Sequence, residues 1–449
     1  MKKIFQYIML AVVTIVMASC TSDIEETTAT TGKNNVQLVV GEFPAFGDSQ
    51  TRAIGTPDEG KTSWAEGDEL LLEIDNTSYG KQYATFTYNG KSWELTSGEL
   101  VYREGDPAYI HHVYYAPNYK WEAGKLVLKE GKVAGTDEYI EGNARITGNG
   151  ETITVSFAEA TRKYSRLRIA TLPNEQITVD TEYFTPAGSS DMEQNGNYTL
   201  TSDEKGNAYL YGTFENNSEV TVKYREAALT TYTFSQATES AKSYALDATV
   251  ISANSAEEIK SAIEQKVADG KTTIRLNLAP NAGTNEFMAI REAIKGAAPN
   301  DLGTIELTII GVETIPEEAF YKMLQLKSVR MSDVKEIKKY AFKECQYLTV
   351  VEAPSLNKLY SGAFKKCDQL SKLTFGPINY ADARNWPIFE YITPNIDLIL
   401  SDYQKEMIET DSYLYTANND RDYAGSDEHN SKNFLGREFK SITCRYPVE

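Results

Sequence analysis

A pattern of apolar positions recurs every 22 residues towards the C-terminal end of the chain. Its clearest members are three pairs, Ala319-Phe320, Ala341-Phe342 and Ala363-Phe364. The other positions in register are Met323, Cys345 and Cys367; Leu326, Leu348 and Leu370; Val329, Val351 and Leu373; Val312, Val334 and Leu356; and Ile315, Ile337 and Leu359. A fixed spacing of this kind indicates stacked units, each of which buries its apolar face only against its neighbours. These residues are therefore the predicted core of a repeat region.

Two kinds of segment alternate within one repeat. Ala341, Cys345 and Leu348 have helical spacing, so residues 337–348 are predicted to form a short helical or irregular arc. Residues 350–353 are β-branched and alternating, which favours a strand. A short strand followed by such an arc is the plan of a leucine-rich repeat.

The motif I-x-x-x-A-F-x-x-C-x-x-L-x-x-V/L, over residues 304–378, resembles the BspA-like class of bacterial surface leucine-rich repeats. Three successive copies carry it, and the first has Met323 where the others have cysteine. The resemblance implies an α/β leucine-rich-repeat solenoid with a long surface for binding other molecules.

Degenerate repeats are predicted on both sides of these copies, so we assign residues 251–449 to one repeat domain with atypical capping repeats at each end. An amphipathic helix is predicted at 255–267, capped by Asn254 or Ser255, and a second helix at 285–294. Strands are predicted at 273–278, 305–310, 396–400 and 439–442, with a long loop at 416–432.

The chain between residues 36 and 248 has no helical period. Short alternating runs occur instead, at 37–40, 70–74, 84–88, 152–157 and 220–224. Turn signals separate them, namely Asn89-Gly90, Asn149-Gly150, Asn195-Gly196 and Gly206-Asn207. Many short strands with such turns predict two tandem antiparallel β-sandwiches, at 36–162 and 163–250.

Short motifs in this half resemble the fimbrillin-like (Mfa-like) family, whose members build or decorate bacterial pili. The first sandwich carries Thr51-Arg-Ala53, then Trp64 with Gly67-Asp68, then Tyr88 and Trp93; the second carries runs at 164–169, 207–214 and 243–246. The resemblance implies transthyretin-like sandwiches. Trp64 is predicted to begin a turn that Gly67-Asp68 closes, so that Leu70, Leu72 and Ile74 face the core.

Arg52 is a candidate site of proteolytic maturation, because polymerising fimbrillins are cut after an arginine early in the chain. The resemblance implies that such a cut opens a groove for a donor strand from the next subunit. Arg52 lies in a polar stretch, residues 47–60, so we expect a protease to have access to it. The alternative is an ordinary surface arginine.

The first 20 residues have the pattern of a lipoprotein signal peptide. Lys2 and Lys3 precede a short apolar run, and small residues precede Cys20, which resembles the acylated cysteine of a lipobox. The alternative is an ordinary signal peptide with a chance cysteine. Residues 21–35 are predicted to form a flexible tether. Its acidic start resembles the export signal of Gram-negative lipoproteins that face outwards from the outer membrane, to which a lipid anchor would hold the protein.

Charge and cysteine content change this picture little. The net charge of −19 argues against nucleic acid as a partner. The repeats depart from that average, because residues 312–375 contain eleven Lys/Arg against eight Asp/Glu. This excess of positive charge indicates either a face that binds an acidic glycan or an ordinary solvated face. Cys345 and Cys367 are predicted to lie close together, either bonded or as buried free thiols.

No residue pattern indicates catalysis. The motifs of common hydrolases and the phosphate-cradling loop are absent from the sequence, and the adjacent His111-His112 pair is predicted to lie in a strand, where it cannot chelate one metal ion. Asp420, Asp422, Asp427 and Glu428 lack an ordered calcium-ligand spacing. Asp and Glu are plentiful enough to supply the carboxylate pair of a glycosidase, but nothing in the sequence places two of them together. We therefore expect no enzyme activity, no metal and no cofactor.

Two hypotheses follow. The first is a surface adhesin, a lipoprotein whose sandwiches are a stalk and whose repeats bind a host protein or glycan. The second is a fimbrial accessory or tip subunit, cut after Arg52 and joined to other fimbrial subunits by strand exchange.

Overall fold

The computed structural model describes residues 37–44, 46, 61–76, 80–100, 111–147, 152–156, 162–382, 388–392, 395–409, 433–435 and 437–446. The predicted signal peptide and tether, Cys20, Arg52, the Asn149-Gly150 signal and the 416–432 loop lie outside these residues. The described chain is mostly strand, arranged in several sheets, with helices α1 (Ala256–Ala268), α2 (Thr284–Ala297) and α3 (Tyr403–Glu409). None of these helices is long and apolar enough to cross a membrane.

The first sheet has seven strands, and all strands are numbered here in chain order. Their order is β1 (Gln37–Val40), β9 (Thr152–Ser156), β8 (Ile140–Thr147), β5 (His111–Tyr115), β2 (Glu69–Asn76), β3 (Gly80–Tyr88) and β4 (Trp93–Gly98). The β1–β9 pair is parallel and the other pairs are antiparallel. A separate hairpin contains β6 (Tyr119–Glu122) and β7 (Lys125–Leu128).

The predicted turn before β2 is confirmed. The Asp68 carboxylate accepts a hydrogen bond from the Ala65 backbone N–H at 2.7 Å, and Gly67 adopts the left-handed conformation with φ +92°. Leu70, Leu72 and Ile74 are buried in the first core, as predicted.

The second sheet also has seven strands. Their order is β15 (Ala227–Thr233), β14 (Glu219–Tyr224), β11 (Gln176–Pro186), β13 (Asn207–Phe214), β10 (Ser165–Ala170) and β16 (Ser243–Asp247), with β12 (Glu193–Thr201) paired to β11. β11 changes partners at Tyr183, whose φ is +48°. Its first part pairs with β12 and β14, and its last residues pair with β13.

The prediction of a turn at Asn195-Gly196 is wrong, because both residues lie within β12. Gly196 is opposite Thr181 in the ladder, and a Cβ atom on it would lie 2.6 Å from the Thr181 hydroxyl and 2.7 Å from the Tyr198 ring. The glycine therefore permits a close approach of neighbouring side chains and does not mark a turn.

The repeat region contains a long sheet of eight parallel strands. Their order is β17 (Ile251–Ala253), β18 (Thr273–Leu278), β19 (Ile305–Ile310), β21 (Leu326–Arg330), β23 (Val350–Ala353), β25 (Lys372–Phe375), β27 (Asp397–Ser401) and β30 (Ser441–Tyr446). Val329, Val351 and Leu373 lie side by side in this sheet, so the 22-residue period is its register.

A short sheet, not predicted from the sequence, contains a second strand from each unit. It contains β20 (Thr314–Ile315), β22 (Glu336–Ile337), β24 (Lys358–Tyr360) and β26 (Tyr380–Asp382). A small pair of strands, β28 (Asn433–Phe434) and β29 (Arg437–Glu438), lies near the end of the described chain.

The arc of each repeat is irregular and not helical. Backbone N–H groups that would bond within a helix bond to the next repeat instead, as from Phe320 to the Ala341 carbonyl and from Phe342 to the Ala363 carbonyl, both at 2.8 Å. Tyr340 and Glu344 adopt left-handed conformations, with φ +57° and +62°, which a helix does not permit.

The second sheet and the first strands of the repeat region are in direct contact. The buried Arg275 guanidinium donates from Nε to the Leu229 carbonyl at 2.6 Å, and Ile310 packs into the core of the second sheet. Part of the outer face of the long sheet is therefore covered at β18 and β19. The predicted cap of the first helix is confirmed, since the Ser255 hydroxyl accepts from the Glu258 N–H.

Candidate binding surface of the repeat region

A row of phenylalanine rings runs through the repeats, and we call it the phenylalanine stack. Phe320, Phe342, Phe364 and Phe389 are stacked with successive ring centroids 5.0, 5.3 and 5.5 Å apart. Rings at both ends meet the stack edge-on, Phe287 of α2 at 5.6 Å and Phe439 at 5.7 Å. Edge-on contacts end the stack, because they present no parallel face for a further ring.

Two buried thiols join neighbouring repeats. The Cys345 Sγ–H donates to the Phe320 carbonyl at 2.9 Å, and the Cys367 Sγ–H donates to the Phe342 carbonyl at 3.0 Å. Both cysteines are free. Burial raises the pKa of Cys345 to about 12 and that of Cys367 well above its ordinary value, so both groups remain protonated donors. Met323 in the first copy has no such proton.

All the residues predicted for the repeat core are buried. Among them are Ala319, Phe320, Leu326, Ala341, Phe342, Cys345, Leu348, Ala363, Phe364, Cys367 and Leu370. They hold the units together. Because they are buried, any partner would contact the exposed side chains that lie between these core residues in the sequence.

The outer face of the long sheet is a network of ion pairs between repeats. Lys327 pairs with Glu306 at 2.7 Å, and Glu352 lies between Arg330 at 2.9 Å and Lys372 at 3.8 Å. Opposite charges on adjacent strands compensate one another here, so this face has little charge excess.

The outer face of the short sheet combines charged and aromatic groups. The Glu336 carboxylate accepts from the Tyr360 hydroxyl at 2.6 Å and pairs with Lys338 at 2.8 Å. Burial raises the pKa of Glu336, but hydrogen bonds from these two groups outweigh it and leave this pKa below its ordinary value. The Tyr360 and Tyr380 rings are 5.3 Å apart.

The third side of the repeats, formed by the arcs 316–324, 338–346 and 360–368, is called the turn face. The Lys343 ammonium lies 5.0 Å from the Tyr321 ring centre and 4.8 Å from that of Tyr340. Lys339 lies 4.8 Å from the Tyr340 ring centre. An ammonium group over an aromatic face is attracted by the ring, and its positive charge is not neutralised.

The cation excess of the repeats is located mainly on the turn face. Ion pairs join seven of the eleven cations of residues 312–375 to carboxylates: Lys322, Lys327, Arg330, Lys335, Lys338, Lys365 and Lys372. The other four are Lys339, Lys343, Lys358 and Lys366, three of which belong to the arcs. The arcs also contain four carboxylates, Glu317, Glu318, Glu344 and Asp368, against six lysines, so the turn face has a modest positive excess. The long sheet is instead a solvated surface whose charges are largely paired.

The remaining candidates give no assembled site. The His111-His112 pair falls in β5 as predicted, where the His112 ring lies 6.4 Å from that of Tyr114. Within the described segments, no group of three or more His, Cys, Asp or Glu side chains is placed to hold a metal ion.

The family comparison matches residues 302–410 to the BspA type leucine rich repeat region, in six copies. The predicted resemblance of the repeats is confirmed, and the match extends beyond the three copies visible in the sequence. Ile388-Phe389 explains part of the difference. It occupies the place of an Ala-Phe pair, since Phe364 donates its N–H to the Ile388 carbonyl at 3.0 Å, but it follows the previous pair by 25 residues.

No curated relative matches the chain. Among solved structures, a candidate cell adhesion protein from Bacteroides fragilis NCTC 9343 is similar at 11% identity and a TM-score of 0.27, over 50% of this chain and 89% of that one. The minor pilin GBS52 of Streptococcus agalactiae is similar at 10% identity and a TM-score of 0.16, over 43% and 86%. At these TM-scores neither similarity bears on function.

Proposed function

We propose that the protein is a cell-surface adhesin, in which a β-rich stalk presents the leucine-rich-repeat surface to a host protein or glycan. The observation that carries this proposal is the turn face, where Lys322, Lys343 and Lys365, from successive arcs, each lie over a tyrosine ring. We assign no catalytic residue and no cofactor to it, and we expect no binding of nucleic acid.

The partner that suits the turn face is anionic. Lys339 and Lys343 have tyrosine neighbours and belong to arcs with six lysines against four carboxylates, in a chain whose overall charge is −19. Cationic groups repeated along the stacked units would contact successive anionic groups of an extended partner, such as an acidic glycan or the acidic surface of a host protein.

The stalk that we propose consists of two tandem sandwiches of the transthyretin-like fimbrillin type, followed by the repeat solenoid. The bend of β11 at Tyr183 supports this arrangement for the second sheet, because strands that switch partners at a bend form the corners of sandwiches. The anchor would be an acylated Cys20 in the outer membrane, facing outwards. Mass spectrometry of the N-terminus of cell-surface protein tests this anchor.

Binding of the full chain to host epithelial cells tests the adhesin. We expect the Lys339→Glu/Lys343→Glu variant to bind at least about tenfold more weakly, since like charges would repel the anionic partner. Lys327→Glu, on the long sheet, is the matched control and should bind like the wild type. Equal binding by all three proteins would contradict a role for the turn face.

The second candidate function is a fimbrial accessory or tip subunit matured after Arg52. One observation favours it: β1 precedes Arg52 and pairs with β9, while Leu38, Val40 and Phe43 fill part of the first core. A cut after Arg52 would separate β1 from the rest of the chain, and a donor strand from another subunit could replace it.

Polymerisation has its own test. The fimbrial function predicts SDS-resistant ladders with an N-terminus at Ala53, and loss of those ladders in an Arg52→Ala variant. A single-size species with an acylated Cys20 would contradict it and would favour the anchored adhesin.

A further inference from the structure

A cavity of about 420 Å³ lies between the first and second sheets, and no residue of the repeat region lines it. Residues at the start of β8 line one side, and the end of β11, its following loop and β13 line the other. Its volume is in the range of small-molecule sites in proteins.

The floor of the cavity contains the half-buried Tyr139 ring, which is held in place by the buried Tyr164 beneath it. The Tyr164 hydroxyl accepts from the Tyr139 backbone N–H at 2.9 Å and donates to the buried Glu138 carboxylate at 3.0 Å. Tyr164 also packs against Tyr211, with ring centres 6.3 Å apart. Tyr139 itself packs on Tyr119, with ring centres 5.1 Å apart. These contacts order the floor before any ligand arrives, so binding would cost little ordering of side chains.

Hydroxyl groups provide the walls. Thr185 and Thr213 lie directly opposite each other on β11 and β13 and both line the cavity, as do Ser189 and Ser190 of the following loop. Each hydroxyl can donate one hydrogen bond and accept others.

The loop after β11 is held tightly against the floor by Gly188. This residue has φ +84°, and a Cβ atom on it would lie 2.5 Å from the Tyr119 hydroxyl and 2.7 Å from the Tyr139 ring. Any other residue would push the loop away, so the wall depends on a glycine at this position.

The mouth of the cavity carries an ion pair. The Lys163 ammonium lies 2.6 Å from the Glu141 carboxylate, and the lysine side chain is 73% exposed. The pair offers a donor and an acceptor side by side with no net charge, which favours a neutral polar ligand over a phosphate or a free carboxylate.

We propose that this cavity binds a neutral pyranose sugar, as a single residue or the end of a glycan. A pyranose ring has an apolar face that packs on an aromatic ring and a rim of hydroxyls that exchange hydrogen bonds with Thr, Ser and an ion pair. The cavity contains each of these elements, and it would add a sugar site independent of the repeats.

Saturation-transfer difference NMR on the full chain tests the proposal, with the methyl glycosides of galactose, glucose, mannose and N-acetylglucosamine as probes. We expect transfer to the ring protons of at least one probe and its loss in Thr213→Trp, which fills the cavity. Thr221→Trp is the matched control, because Thr221 faces Thr231 in an exposed pair of the same sheet, with hydroxyl oxygens 3.0 Å apart.

A second variant keeps the test independent of folding. Lys163→Ala removes a largely exposed side chain and should weaken transfer several-fold without affecting thermal unfolding. Absence of transfer from every probe would overturn the proposal, as would undiminished transfer in both Thr213→Trp and Lys163→Ala. Loss of saturation transfer in Lys339→Glu/Lys343→Glu would also overturn the proposal, because it would show that the sugar binds to the repeats.

Discussion

The repeat region and the two N-terminal sheets are held together by contacts of different range along the chain. In the repeats, Cys345 bonds to Phe320, 25 residues away, and Cys367 bonds to Phe342 at the same separation. In the N-terminal half, the Arg162 guanidinium donates to the Pro44 carbonyl, 118 residues away. The first region is therefore a sum of neighbour contacts, and the second depends on a few distant ones.

The two regions also bury different polar groups. The repeats place thiols in their core, whose single proton is satisfied by a backbone carbonyl. The N-terminal half buries an ion pair between Glu138 and Arg162, and the guanidinium also lies 3.8 Å from the centre of the Phe46 ring. The thiol contact recurs in successive repeats, whereas this ion pair joins two particular residues that are distant in the sequence.

The largest effect that we expect is on the phenylalanine stack. Phe342→Ala removes a ring stacked between Phe320 and Phe364 and should lower the free energy of unfolding by about 4–5 kcal/mol. Because contacts are between neighbours, peptide-resolved hydrogen exchange should first show loss of protection in the two adjacent repeats. Tyr391→Ala, at a ring that is 68% exposed, is the control and should change little. An equal loss of protection across the whole chain would contradict the expectation that each repeat is stabilised mainly by the repeats next to it.

Breaking the buried ion pair should have the next largest effect. Glu138→Ala leaves the Arg162 charge buried without its partner and should cost about 3–4 kcal/mol by chemical denaturation. Hydrogen exchange should rise in both N-terminal sheets and leave the phenylalanine stack protected. The double variant Glu138→Leu/Arg162→Leu should recover part of the loss, because it buries no charge. No difference between the single and double variants would refute this role of the pair.

Alkaline pH should weaken the repeat core specifically. A thiol whose folded pKa is raised stabilises the fold fully below the unfolded value near 9, and this stability is lost as pH rises towards the folded value of about 12 for Cys345. The loss is at most about 1.4 kcal/mol per pH unit for each thiol. Cys345→Ala/Cys367→Ala should therefore show a shallower decline of unfolding free energy above about pH 9. Parallel declines would exclude the thiols as the cause.

The smallest effect concerns the exposed ion pairs. Lys335 and Glu313 lie 2.6 Å apart with side chains 51% and 65% exposed. Lys335→Ala should cost no more than about 0.5 kcal/mol, because water screens such pairs. A cost above about 1.5 kcal/mol would show that the surface network stabilises the repeats as the core does.

The sequence alone predicted the repeats better than the N-terminal half, for a physical reason. The 22-residue period is both a sequence pattern and the register of the long sheet. Residues one period apart, such as Val329 and Val351, are therefore predicted to be neighbours on adjacent strands. The second strand of each unit was missed although Ile315 and Ile337 were recognised in phase, because two or three residues are too short to show alternation.

Features formed by residues that are far apart in the sequence had no comparable sequence pattern. An Asn-Gly pair such as the one at Gly196 is typical of a turn. Only the position of Gly196 opposite Thr181 in the sheet shows that the glycine permits close packing. The bend at Tyr183, the Glu138–Arg162 pair and the cavity beside Tyr164 each depend on residues that no local pattern connects. The turn face is an intermediate case, because the excess of lysines is visible in the sequence and the tyrosine rings beside them are visible only in the structure.

The edge-on rings of Phe287 and Phe439 have a consequence for how such a gene can change. Every ring between them meets its neighbours in the same way, so an in-frame duplication or loss of one 22-residue unit would preserve each type of contact and both ends. Each event would lengthen or shorten the molecule by about one strand spacing, roughly 4.8 Å. The reach of the surface is thus a trait that recombination could alter in single steps without redesigning a core.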